Sequence, residues 1–494
     1  MCFFPAVVLI YYIIPDKIKY LWLLVTSYYF YMCWNPKYIL LMIFSTAVTY
    51  VSGLLIESVK KKEKERVWDS KKCATRKKMV VAASFVLNIS LLVYFKYINF
   101  GIEILRKLFG LVHINVVFPH FDIMLPVGIS FYIFQALSYT MDVYRDEVYA
   151  EKNFLRYAVF VSFFPQLVAG PIERSKNLLK QLAVPKKFDF DRARDGFLQM
   201  LWGFFLKIVL ADRIAMFVDS VYGNYSKYPG YFLIAATVLF AVQIYCDFAG
   251  YSTIAMGTAR IMGVELMENF RAPYMSLSVA EFWRKWHISL TSWFKDYLYI
   301  PLGGSRKGKI RKYINKMIVF LVSGLWHGAS FTFVIWGGLN GMYQVAGEML
   351  QPVRDKFVSV LKLDRKSLGH KIFKMAVTFV LVDFAWIFFR ADTTHDAFNI
   401  VKSMFTVHNP WIMVDGSLFK CGLTAPDFML MLVCIGILVF ADYCRHRNIK
   451  IRSIISSCDC WFRWIFIGAS ITALLTFGVW GPGYDAANFI YFQF

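Results

Sequence analysis

Two histidines stand where hydrocarbon is expected. His327 closes the apolar run MIVFLVSGLW and opens the turn SGLWHGAS, and His287 sits inside WRKWHISL. An imidazole titrates near neutrality, so it can take a proton from a hydroxyl and return it to a leaving group. A titratable ring inside an apolar run is costly and points to function before packing. The chain holds no G-x-S-x-G elbow, no HExxH and no Walker loop, and Gly303-Gly304-Ser305-Arg306 does not match a phosphate-binding loop. The pattern is that of a base with no evident protein nucleophile. His327 is the candidate catalytic base and His287 the second histidine of its site. Trp286 and Trp326, each next to a histidine, and Arg284, three residues before His287, are candidate substrate-binding or supporting residues.

Three polar residues in other apolar runs join this set. Gln243 and Asp247 close the run at 231–250, and Gln135 lies within LPVGISFYIFQALSYTMDVYR at 125–145. Polar groups at that depth need partners. Gln135 fits either a helix–helix hydrogen bond or a site lining, and Asp247 fits either a helix end at the interface or a site carboxylate.

The elements that must position the histidines are readable from periodicity. Ser278 with Glu281 forms an S-x-x-E capping box. Val279, Trp283, Trp286, Leu290, Trp293, Tyr297 and Ile300 then recur at alternating steps of four and three, which predicts one helix over 278–300. Its Glu281, Arg284, Lys285, Lys295 and Asp296 are too many charges for a lipid-facing span, and its Trp and Tyr suit the interface. It should therefore lie along the membrane or dip obliquely into it. The stretch SRKGKIRKYINK at 305–316 has six basic residues and no acid, which predicts a cytoplasmic loop. From there a helix starting at Met317 climbs into the membrane and brings His327 roughly 15 Å in.

The 494-residue chain is 58% hydrophobic and 18% aromatic, well above a soluble domain. Apolar runs long enough to cross a bilayer recur. The expected fold is an all-α polytopic membrane protein, a single integral-membrane domain over 1–494 with a catalytic core at about 125–391. The formal charge of +22 falls in loops between apolar runs, so it reads as positive-inside topology and attraction to anionic lipid, with no nucleic acid as partner. Of nine cysteines, Cys458 and Cys460 make only a CxC, and Cys33, Cys246 and Cys434 read as core-packing thiols. Neither a disulfide framework nor a metal site is expected.

In chain order, apolar segments run at 3–14, 20–34, 38–58 and 79–98. The first has no basic residues before it and no small-residue cleavage pattern, so it is not expected to be a cleaved leader. The loop 60–78 carries ten Lys/Arg against three Asp/Glu and should be cytoplasmic, which puts the N-terminus outside. Residues 99–125 should follow on the outer side, broken by Pro119 and His120. The segment at 157–170, YAVFVSFFPQLVAG, is short, is interrupted by Pro165 and has basic flanks on both sides. It should be a re-entrant hairpin, which survives only under cover of protein or a cavity. Further crossings are expected at 197–222, 231–250, 329–348, 373–391, 426–443 and 463–479.

These residues resemble a known family. LPVGISFYIFQALSYTMDVYR, FFPQLVAGPIERSKNLL, QIYCDFAGYSTIAMGTARIMG, ENFRAPYMSLSVAEFWRKWHISLTSWFKDYLYIPLGG, SGLWHGASFTFVIWGGLNG and the closing FIYFQF are similar to stretches of the membrane-bound O-acyltransferase (MBOAT) family, most closely its bacterial alginate O-acetyltransferase-like branch. The resemblance implies a catalytic histidine at His327 and a second active-site histidine at His287. It implies about 11–13 membrane helices, re-entrant segments included, around a central tunnel. It also implies a thioester acyl donor (acetyl-CoA or a phosphopantetheine-linked acyl group) reaching the site from the cytoplasm as substrate, with no bound cofactor. A hydroxyl acceptor would approach from the other face. In this branch the product is an O-acetylated exopolysaccharide such as alginate or cellulose. A related branch serves D-alanylation of teichoic acid from an acyl carrier protein. Extracytoplasmic partner proteins often finish the transfer. The chain departs from the family pattern at Asn340, where a further histidine is usual, and at Ser252-Thr253, where a serine–aspartate pair is usual.

The expected mechanism has His327 removing the proton of an acceptor hydroxyl, whose oxygen attacks the thioester carbonyl while the thiol leaves toward the cytoplasm. His287, with Asp247 or Gln243, would orient the reactants or stabilise charge. The rival classes are a proton-coupled transporter or flippase, which would use histidine as a relay, and a structural scaffold for polysaccharide export. The expected location is the cytoplasmic membrane.

Overall fold

Whether an apolar stretch crosses a bilayer depends on how long it stays helical without charge. In the computed structural model, which describes residues 3–114, 119 and 121–480, every regular element is a helix. Six helices among the described residues are long and apolar enough to cross a membrane: Pro36–Lys64, Ser70–Leu111, Tyr231–Ile261, Leu368–Arg390, Ala425–His446 and Cys460–Phe477. The protein is thus a multi-pass α-helical membrane protein. Only 6% of the apolar window of Cys460–Phe477 is buried, against 72% for Tyr231–Ile261. The first offers its side chains to lipid, and the second is an interior helix that can carry polar groups. His120 and the closing FIYFQF lie outside the described residues.

The described residues fall into two compact units, 1–197 with 255–267 and 198–254 with 268–494. In the first, the basic stretch 60–78 becomes two helix ends and a turn. Ile39–Lys64 ends on lysines, which suit the negative end of its dipole, and Asp69 Oδ2 caps the next helix by accepting from Lys71 N at 3.1 Å. That helix does not stop near residue 98 as its apolar run suggests. It passes through a π-helical turn, Val93–Tyr97, and continues as Ile98–Leu111. No proline interrupts it, and Leu105, Leu108 and Leu111 remain exposed along its surface.

The segment at 157–170 is two short helices, Phe154–Ser162 and Phe164–Leu167, parted at Phe163. A break inside a core frees backbone groups that must be satisfied. Ser27 Oγ accepts from Phe164 N at 3.1 Å. The Phe160 carbonyl accepts from the side-chain amides of both Gln166, at 3.3 Å, and Gln135.

In the second unit the sequence expectation needs two corrections. The single helix over 278–300 is two seven-residue helices, Val279–Lys285 and Ile288–Phe294, followed by a π turn. The helix start at Ser278 is capped: Ser278 Oγ accepts from Glu281 N at 3.2 Å, and Glu281 Oε2 reaches one residue past the N-cap to accept from Leu277 N at 2.9 Å. The break falls at His287, whose φ of 43° is left-handed. The cause is tertiary. Ile288 N and Ser289 N donate to Asn269 O and Oδ1, at 2.9 and 3.2 Å, which takes them out of the helical ladder.

The stretch 305–316 is likewise not all loop. Its helix starts at Lys309, after Gly308 at φ 86°, and runs unbroken to His327. Lys312 and Lys316 pair with Glu348 of the next helix at 2.6 and 3.0 Å, so the basic residues dock the helix start. Cys246 and Cys434 are buried as expected, but Cys33 is exposed, because it caps a helix end just before the Asn35-Pro36 turn.

Candidate active site

His327 is the last residue of Lys309–His327, and Phe331–Met349 begins four residues later, with Ser330 Oγ accepting from Thr332 N at 3.3 Å. The two helices touch backbone to backbone. A Cβ on Gly324 would run into the Phe333 carbonyl oxygen and lie 3.4 Å from the Gly337 Cα, and a Cβ on Gly337 would meet the Phe320 carbonyl. This contact sets the angle at which His327 is presented. Gly324→Val is therefore expected to destabilise the protein by about 3 kcal/mol and to lower activity, because the helices must separate. Thermal unfolding in detergent checks this, and an unchanged transition would show the pair to be more yielding than its contact distances imply.

His327 is 4% exposed, and its ring is bounded by aromatic rings. Its centroid lies 4.9 Å from Trp326, 5.0 Å from Trp336 and 5.3 Å from Phe389, all edge-on. The surrounding indoles brace one another: Trp336 stacks on Trp386 at 5.7 Å, and Trp286 lies 5.2 Å from Trp386. Asn340 ties this scaffold together. Its Oδ1 accepts from Trp283 Nε1 at 3.1 Å, and its Nδ2 donates to the Trp336 carbonyl at 2.9 Å.

His287 is 1% exposed. Its ring lies 4.6 Å from Phe248 and 6.0 Å from Trp326. Both histidines thus lie beside the Trp326 indole, which neither spacing nor periodicity could have shown for His287. On the other side, His287 Nδ1 is 3.1 Å from Asn269 Oδ1. Near the start of the same segment, burial alone would raise the Glu281 carboxyl, but the Lys285 ammonium at 2.7 Å and the Leu277 N–H outweigh it and hold it below its ordinary value.

The remaining candidates divide. Trp286 and Trp326 belong to the aromatic scaffold around the histidines. Asp247 is buried and pairs with Lys207 at 2.6 Å, and Lys207 also holds Asp212 at 2.8 Å. The residue after Asp247, Phe248, is the one that touches His287. Gln243 is buried one turn earlier on the same helix. Arg284 is exposed. Gln135 belongs to the first unit, where it donates to the Phe160 carbonyl.

The sequence reading missed Asn269, Lys207, Trp336 and Phe389. Asn269 had one available signal, a lone amide in ENFRAPY just before the aromatic helix. Lys207 had another, a lysine inside the apolar run GFFLKIVLA.

A model of the membrane-bound O-acyltransferase family matches residues 10–381. The chain is 36% identical to the probable alginate O-acetylase AlgI of Pseudomonas putida over 82% of this chain and 78% of that protein. It is 31% identical to the peptidoglycan O-acetyltransferase of Helicobacter pylori, over 78% and 73% respectively. It is 27% identical to the teichoic acid D-alanyltransferase of Bacillus subtilis, over 56% and 71%.

Proposed function

Because the chain belongs to the membrane-bound O-acyltransferase family, and is therefore an acyltransferase, we propose that it moves an acetyl group from a cytoplasmic thioester to hydroxyls of an extracytoplasmic polysaccharide. The transfer is direct or runs through an extracytoplasmic partner protein. The observation that carries the reading is the meeting of His287 and His327 at the Trp326 indole, both buried. The names of the relatives at 31–36% identity, alginate and peptidoglycan O-acetylases, support an acetyl donor and a glycan acceptor.

In the proposed step His327 accepts the proton of the acceptor hydroxyl. The oxygen bonds to the thioester carbonyl carbon, the carbon–sulfur bond breaks, and the thiolate takes the proton back from the imidazolium. A base placed this way contributes roughly 10²–10⁴ in rate. The basic stretches 60–78 and 305–316 support a cytoplasmic-membrane protein whose donor side is the one bearing those lysines and arginines. A second reading, D-alanyl transfer to teichoic acid from a carrier protein, draws on the 27% relative.

The test uses purified protein in nanodiscs, given acetyl-labelled coenzyme A or a labelled carrier-protein thioester, with polysaccharide or teichoic acid as acceptor. Label is expected to appear on the glycan from acetyl-CoA. Label on teichoic acid from the carrier thioester alone would select the second reading. Movement of intact substrate with no covalent product would replace both with a transporter.

A further inference from the structure

We propose that Asn269 is a positioning residue that locks His287 as its Nδ1–H tautomer, so that Nε2 offers a lone pair to a substrate N–H or O–H other than the hydroxyl whose proton His327 takes. The inference rests on the acyl-transfer reading above for the presence of a substrate bearing that donor. The tautomer itself follows from geometry. Ser289 N donates to the side-chain atom of Asn269 that faces His287, at 3.2 Å. A backbone N–H can only donate, so that atom is the amide oxygen. Ser289 Oγ donates to the same oxygen at 2.9 Å, and the opposite atom, Nδ2, donates to Ser252 Oγ at 3.1 Å. The amide is thus held in one orientation from both ends. His287 Nδ1 lies 3.1 Å from that oxygen and 3.5 Å from Ser289 Oγ, whose own proton goes to the nearer oxygen at 2.9 Å, so Nδ1 carries the proton that bonds to Asn269.

The ring is 1% exposed among Phe248, Phe270 and Trp326, an environment that disfavours a charged imidazolium. A neutral ring protonated on Nδ1 is an acceptor at Nε2. This separates two roles that the sequence left open. A neutral Nε2 acceptor orients a substrate donor group and cannot donate to a carbonyl oxyanion. Asn269 also fixes the backbone that aims the ring, since its carbonyl accepts from Ile288 N at 2.9 Å across the left-handed turn at His287.

The tautomer is read by ¹⁵N spectroscopy of histidine-labelled protein in nanodiscs, with the His287 signals assigned by their loss in His287→Ala. Protonation at Nδ1 is expected, and protonation at Nε2 or at both nitrogens overturns the proposal. In the transfer assay, Asn269→Leu is expected to lower kcat about 10²-fold or more, as wrong-tautomer variants do, with KM within about twofold. Asn269→Asp keeps an acceptor for both N–H groups and is expected to restore kcat to within about tenfold of the parent. In a His287→Ala background, Asn269→Leu should add no further loss, because both act through one imidazole. Additive losses, or full activity of Asn269→Leu, overturn the role. If Asn269→Leu does not fold, Asn269→Asp and the parent protein's spectrum still decide. If the parent protein transfers no acyl group from any thioester, the functional reading fails while the tautomer measurement stands.

Discussion

His327→Ala is expected to reduce acyl transfer by roughly 10²–10⁴-fold while the protein still inserts and folds. The ring closes a helix whose approach to its neighbour is set by two glycines, and three aromatic rings hold it within about 5 Å. None of those three rings, Trp326, Trp336 and Phe389, can accept a proton from a hydroxyl at neutral pH. His327→Asn, which keeps polarity and part of the volume but not the basic nitrogen, is expected to fall as far. Transfer of labelled acetyl to glycan, with detergent unfolding as the control for folding, provides the measurement. Wild-type turnover in either variant would remove His327 from the chemistry.

The second large effect concerns stability. Lys207 lies between Asp212, at 2.8 Å, and Asp247, at 2.6 Å, and the three side chains are 12%, 11% and 3% exposed. Breaking a buried ion pair by removing one partner costs about 3–5 kcal/mol, because a charge is left behind in a poorly solvating interior. Lys207→Met should therefore destabilise by that amount, since two carboxylates then face one another without the ammonium between them. Adding Asp212→Asn and Asp247→Asn should recover most of the loss, because the residual charge is gone. Thermal unfolding of the single and triple variants in detergent reads the difference. A triple variant as unstable as the single one would mean that packing by the lysine stem, not charge, holds the site. Activity is expected to fall in Lys207→Met as well, since Phe248, next to Asp247, touches His287.

The polar residues chosen from sequence show how far local pattern reaches. Asp247 stood out because a carboxylate in an apolar run demands a partner. Its partner, Lys207, lies in another helix and could be identified only once the two were brought together. Gln135 left two roles open, and among the described contacts its amide serves the broken backbone at Phe160. The long helix to Leu111 and the early start at Lys309 were hidden for a common reason. Hydropathy marks where lipid begins, whereas a helix continues into water as long as its backbone is unbroken and its ends are capped or paired.

By itself the sequence determined the helical membrane class and the helix start at Ser278, and it singled out the two histidines as candidates. All of these depend on residue type and spacing along one helix, which are local properties. The tertiary structure alone decided that the helix breaks at His287, that Asn269 is the group that breaks it and fixes the ring, that Lys207 answers Asp247, and that Trp326 lies beside both histidines. Backbone N–H groups can leave a helical ladder only for another acceptor, and buried charges and rings acquire their partners only in the folded state.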